Sequence, residues 1–117
     1  MIMDETLYLK ELEDFYKNEL EDTLLFWQEK GFDKVNGGFY TCLNELGEVY
    51  DTDKAVWAQG RGAYIFAKAY NDYKKDVKYL SIAEKSFKFI KEKCYDKDGR
   101  MFFTVTGDGK PIQKRRY

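Results

Sequence analysis

One segment of this chain is written twice. GFDKVNGGFYTCLNELGEV, Gly31 to Val49, and YDKDGRMFFTVTGDGKPI, Tyr95 to Ile112, align Asp33 with Asp96, Phe39 with Phe102 and Gly47 with Gly109, at separations of 62 or 63 residues. Asn36-Gly37-Gly38 in the first copy, and Asp98-Gly99 and Asp108-Gly109 in the second, supply residues that tolerate positive φ. Around them run short apolar stretches, Phe39, Cys42 and Leu43 in one and Met101, Phe103 and Val105 in the other. Short strands or irregular hairpins fit such punctuation. Repetition of helix, helix and hairpin at this period implies stacked helix pairs that bury their faces only against neighbours. Two copies leave an open end, so the array is expected to continue past Tyr117, and the chain reads as the front part of a larger enzyme.

Helical periodicity fills the rest. Leu9, Leu12, Tyr16, Leu20, Thr23, Leu24 and Trp27 recur at steps of three and four, predicting a helix from Leu7 to Trp27 that is capped near Asp4 and ended by Gly31. A second helix is expected from Asp53 or Lys54 to Tyr70, with Asp51 or Asp53 as its cap. A third is expected from Asp76 to Lys93, capped by Asp76, with Leu80, Ala83, Phe87, Ile90 and Cys94 as its apolar line and Lys88, Lys91 and Lys93 towards water.

The second helix carries the residues of greatest chemical interest. DTDKAVWAQGRGAY, Asp51 to Tyr64, places Trp57, Arg61 and Tyr64 on one helical face, with Gly60 and Gly62 inside the same helix. A guanidinium offers five fixed donors and stays charged. Beside large aromatics it suits a sugar hydroxyl or carbonyl oxygen, and it can stabilise negative charge developing there. The alternative is a structural ion pair with Asp51, Asp53 or another acid. Trp57 either stacks on a pyranose ring or belongs to the core. The two glycines mark close backbone packing or room beside a ligand. Glu29 or Asp33 either joins a glycosidase-type carboxylate pair or is an ordinary turn charge.

Composition narrows the classes. Aromatics make up 18% of the chain, enough for thick core layers or a lined pocket. Twenty basic residues nearly cancel twenty-one acidic ones, so nothing steers the chain in bulk to nucleic acid or anionic lipid. No apolar run reaches the ~20 residues of a membrane span, and the acidic start lacks a signal core. Two cysteines, Cys42 and Cys94, have neither metal-type spacing nor a disulfide framework. A cytoplasmic setting, no cofactor and no bound metal are the simplest expectations. There is no histidine, so imidazole acid–base chemistry cannot come from these residues.

Phe26-Trp27, NGGFYTCLNELGEVYDTDKAVWAQGR (Asn36 to Arg61) and DKDGRMFFTVTGDGKPIQKRRY (Asp96 to Tyr117) together resemble the N-terminal third of the N-acylglucosamine 2-epimerase family, which includes cellobiose 2-epimerases and aldose–ketose isomerases. The resemblance implies an all-α fold, with residues 1–117 forming the first helices and two hairpins of an (α/α)6 barrel. It implies a monosaccharide or disaccharide substrate and a pocket at one end of the barrel axis. Arg61 would be catalytic and substrate-binding, with Trp57 beside the sugar and Tyr117 matching a tyrosine that reaches the pocket. Family enzymes are thought to open the sugar ring and move a proton at C2 through an enediolate, using two histidines that lie later in the fold. This chain alone is therefore expected to be inactive, and its open edge to be available to a second copy. A glycoside hydrolase on the same barrel and a non-catalytic sugar-binding or structural helical module are the rival expectations.

Overall fold

The computed structural model describes residues 4–116. Three α-helices dominate them: α1 (Glu5–Phe26), α2 (Val56–Lys68) and α3 (Val77–Lys93). Five short strands accompany them: β1 (Cys42–Leu43), β2 (Val49–Asp51), β3 (Lys54–Ala55), β4 (Phe102–Val105) and β5 (Pro111–Arg116). The fold is mostly helical, with strands confined to the two repeated segments and to the entrance of α2. Among the described residues, no helix is long and apolar enough to cross a membrane.

Capping explains two of the helix starts. Asp4 Oδ1 accepts from the Thr6 amide at 2.9 Å, and Asp76 Oδ1 accepts from the Lys78 amide at the same distance. Each satisfies one of the free amides of a first helical turn. The start of α2 differs from the sequence expectation. Its first residue is Val56, and no side chain caps it. Asp51 instead accepts from the Asp53 amide at 2.8 Å, closing a local turn. Lys54 and Ala55 stay extended because they pair with Val105 and Thr104 of β4, adding a third antiparallel strand to β4 and β5. Both α1 and α2 run on into a π-helical turn, Trp27–Gly31 and Ala69–Tyr73.

The repeat is real at the level of hydrogen bonds. In the first copy the Gly37 amide donates to the Asp33 carbonyl at 2.9 Å; in the second the Gly99 amide donates to the Asp96 carbonyl at 3.1 Å. Further on, the Gly47 amide reaches the Asn44 carbonyl and the Gly109 amide the Thr106 carbonyl, at 3.0 and 2.9 Å. Positive φ at Gly37 and Gly99, 83° in each, is what these turns require. Phe39 bridges back to Phe32, and its counterpart bridging to Tyr95 is Met101 rather than Phe102, because the second turn is one residue shorter.

Two apolar clusters form the core. Phe39 stacks on Phe66, with centroids 5.7 Å apart and planes 17° from parallel, and Phe66 meets Tyr79 edge-on at 5.8 Å. Leu24, Phe32 and Ile82 close that cluster. The second holds Val56, Phe89, Ile90, Cys94 and Val105. Burial of Cys94 pushes its thiol up to about 11, so it is an inert apolar filler. The buried stripe of α3 keeps Ala83, Ile90 and Cys94 of the expected line but is wider than it, and it leaves out Phe87. Tyr79, Ile82, Ser86 and Phe89 are buried while Phe87 is exposed, because α2 packs on the Phe89 side.

The outlier is α1. Its expected stripe is apolar, yet Leu9 is 62% and Tyr16 65% exposed, and only Leu24 is buried. Nothing among the described residues covers its N-terminal half. The molecule is accordingly long, 63 × 28 × 25 Å, with a radius of gyration of 17.3 Å, against about 13 Å for a compact 100-residue domain.

Candidate functional site

A cleft of about 320 Å³ opens between the C-terminal end of α1, the extended segment after the first glycine turn, and one side of α2. Leu24 and Trp27 form one wall, Phe39 to Thr41 the back, and Trp57 and Arg61 the rim. Arg61 lies over the Trp57 ring, its guanidinium carbon 5.0 Å from the ring centroid. Among the described residues Arg61 forms no ion pair, so the structural reading with Asp51 or Asp53 is not what the geometry shows. Trp57 is 53% exposed, which leaves ring surface for a ligand. A cation stacked on an indole beside a concavity can grip an oxygen-rich molecule by charge and by apolar contact together.

Of the other sequence candidates, Tyr64 is exposed and does not line the cleft, which turns towards the Ala58, Gly62 and Ile65 side of α2. Tyr117 lies outside the described residues. The two glycines separate in meaning. A Cβ on Gly62 would come within 2.4 Å of the Phe39 ring, whereas one on Gly60 would meet nothing within 4 Å. Gly62 therefore lets the aromatic back of the cleft close onto α2, and Gly60 makes no such approach.

Glu29 is exposed and lies 3.6 Å from Lys34. Asp33 is buried and lies 2.7 Å from Lys54 Nζ, with both side chains essentially sealed from solvent. Neither residue is among those lining the cleft. Of the two readings for Glu29 and Asp33, neither residue meets another carboxylate among the described residues: Asp33 forms a buried ion pair and Glu29 a surface contact.

Sequence reasoning missed that ion pair. Lys54 Nζ also donates to the carbonyls of Gly37 and Gly107, at 2.9 and 2.8 Å, so its three protons each have an acceptor. The ammonium sits 4.5 Å from the centroid of the Phe89 ring and 5.3 Å from that of Tyr40. Burial lowers its pKa from the ordinary 10.5, and Asp33 pulls it partly back. Burial alone would raise the Asp33 carboxyl. Lys54 and the amides of Asn36 and Val35 outweigh it and hold Asp33 below the ordinary 3.8. Asp33 is therefore a carboxylate at neutral pH, and the three acceptors around Lys54 Nζ match the three protons of an ammonium.

Gln59 is the second missed residue. Its Oε1 accepts from the Phe39 amide at 2.6 Å, while Nε2 donates to the carbonyls of Phe39 and Ala55 at 2.9 and 3.1 Å. A fully buried glutamine thus serves as the hydrogen-bond neighbour that Phe39 would have in a sheet. Its one sequence signal is position: Gln59 falls on the stripe with Val56 and Phe66 that the helix buries. Tyr40, at the back of the cleft, has its phenol raised by burial and then by the Asp33 charge, so it stays a neutral hydroxyl.

The backbone of this chain is similar to those of solved sugar epimerases. The backbone superposes on cellobiose 2-epimerase from Spirochaeta thermophila with a TM-score of 0.81 at 25% identity, covering 91% of this chain and 26% of that one. Cellobiose 2-epimerase from Bacillus thermoamylovorans gives 0.78 at 29% identity, covering 89% and 27%. In sequence, N-acylglucosamine 2-epimerase of Rattus norvegicus is 32% identical over 102 residues, 84% of this chain and 24% of the relative. Residues 38–117 match the N-acylglucosamine 2-epimerase (GlcNAc 2-epimerase) family. This chain belongs to that family, and it spans about a quarter of the length of the relatives it matches.

Proposed function

We propose that this chain supplies the oxygen-holding side of the sugar site of a 2-epimerase or aldose–ketose isomerase built on an (α/α)6 barrel. One observation carries the reading: Arg61, stacked on a half-exposed Trp57 at the mouth of a cleft, has no acidic partner among the described residues. Arg61 binds the oxygen next to the reacting carbon of a ring-opened sugar. Removal of the C2 proton then gives an enediolate, whose negative oxygen the guanidinium stabilises. Return of the proton to the opposite face of C2 gives the epimer; return to C1 gives the ketose. The proton carriers belong to other parts of the barrel, since these residues include no histidine. Trp57 supports the sugar through its ring, and Tyr40 and Thr41 line the back. In a ring of helix pairs, the bare apolar row of α1 is a seam against its neighbours, or against a second copy where those neighbours are missing.

The test is isotope exchange by the complete protein on N-acetyl-D-mannosamine, D-mannose and cellobiose in deuterated water. Deuterium at C2 together with the epimer or ketose is expected with at least one sugar. Absence of exchange on all three rejects the reading. Replacing Arg61 with alanine lowers kcat by about 100-fold or more. The 117-residue chain by itself binds sugar without turnover, a second reading favoured by its lack of histidine.

A further inference from the structure

Lys54 is remote from solvent, yet it touches the cleft from behind. Its ammonium lies against the underside of Tyr40, 5.3 Å from the ring centroid, and grips the Gly37 carbonyl two residues before Phe39. The same group reaches Asp33 on one side of the first turn and the Gly107 carbonyl in the second copy. Thr41, at the far end of the segment, is tied to the strand that carries Lys54: its hydroxyl donates to the Asp53 carbonyl and accepts from the Ala55 amide, at 3.3 and 3.2 Å. The back of the cleft, residues 39–41, is therefore held by Lys54 behind Tyr40, by Gln59 at Phe39 and by the backbone of Asp53 and Ala55 at Thr41, all at the start of α2. The rim residues Trp57 and Arg61 lie on the first turns of that same helix.

We propose that Lys54 is a positioning residue for the sugar cleft, fixing the distance between its back at residues 39–41 and its rim at Trp57 and Arg61. This rests on the sugar reading of the cleft. An ammonium suits the task because it can donate in three directions, here to two groups of the first turn and one of the second copy. A hydrocarbon side chain would fill the same space without setting their spacing. A buried pair of this kind fixes geometry more dependably than it adds stability.

The experiment compares Lys54→Met and Asp33→Asn with Asp96→Asn, the equivalent change in the second copy. Three quantities are read on the complete protein: indole NMR signals of Trp27 and Trp57, hydrogen exchange at the Phe39 and Thr41 amides, and KM and kcat for the sugar that is turned over. Lys54→Met is expected to shift both indole signals, speed exchange at Phe39 and raise KM about tenfold or more, with kcat changed much less. Asp96→Asn lowers stability but leaves the indole signals, the Phe39 exchange and KM in place. If Lys54→Met does not fold, Asp33→Asn decides by the same readouts, since it removes the paired charge but keeps an acceptor oxygen. A folded variant of either kind with unchanged indole signals, Phe39 exchange and KM overturns the proposal. Changed indole signals and exchange in a protein that turns over no sugar would instead leave the positioning by Lys54 standing and remove the sugar reading.

Discussion

The two copies of the hairpin share their turns but not their surroundings. Each begins with an aspartate that folds its carboxylate back onto the amides of the following turn: Asp33 onto Val35 and Asn36, Asp96 onto Asp98 and Arg100. Each places a glycine at φ 83°. In the first copy, however, the aspartate is buried against a lysine and the glycine lands on the α3 backbone. In the second the turn faces water. The lesson is that local code sets the shape of a turn, and packing decides whether that shape becomes part of a site. The cleft beside Arg61 is lined by the first copy and not by the second.

The largest test of this contrast is the aspartate pair. Asp33→Ala leaves a buried ammonium without its counter-charge and should cost about 3–5 kcal/mol. Asp96→Ala loses turn hydrogen bonds in a half-exposed setting and should cost about 1–2 kcal/mol. Urea denaturation of the two variants measures the gap, and equal losses would erase the distinction between the copies.

Next comes the glycine pair. A Cβ at Gly37 would sit 2.8 Å from the Lys85 carbonyl oxygen, while one at Gly99 would meet nothing within 4 Å. Both substitutions carry the strain of positive φ, about 1–2 kcal/mol. Only Gly37→Ala adds a clash with backbone, so its thermal midpoint should fall further than that of Gly99→Ala.

Acid titration sharpens the comparison with a smaller effect. The folded-state pKa of Asp33 lies below its ordinary 3.8. The stability it contributes is therefore fully present above that ordinary value and is lost as pH falls through the lower folded value. Unfolding free energy followed from pH 5 to 2 should decline less steeply in Asp33→Ala than in the parent. The smallest effect is at Ser86, buried on α3 between Lys85 and Phe89, where the first turn lands. Its hydroxyl has no hydrogen-bond partner among the described residues. Ser86→Ala should stabilise the protein by about 0.5–1 kcal/mol, read from the same denaturation curves.

Much of this was legible in the residues. The caps at Asp4 and Asp76, the glycine turns, the hairpin between Cys42 and Asp51, and the repeat itself follow from local chemistry. Trp57 and Arg61 share a face because helical geometry dictates it, and the cleft beside them is where that face was expected to matter. What could not be read are pairings across distance. Lys54 looks like a surface residue at a helix start, and only its contacts with segments 17 to 53 residues away reveal it as buried. The third strand was hidden for the same reason, since a two-residue strand has no period. On α3, Ala83, Ile90 and Cys94 were placed correctly and Phe87 was not, because Phe87 and Phe89 are equally apolar and only the position of α2 chooses between them.

The sealed amine of Lys54 has a practical consequence. A reagent that acylates amines will modify the surface lysines at once but reach this one only after the two turns separate. The rate at which that single nitrogen becomes labelled is a clock for the opening of the hub, and a sugar seated in the cleft should slow it.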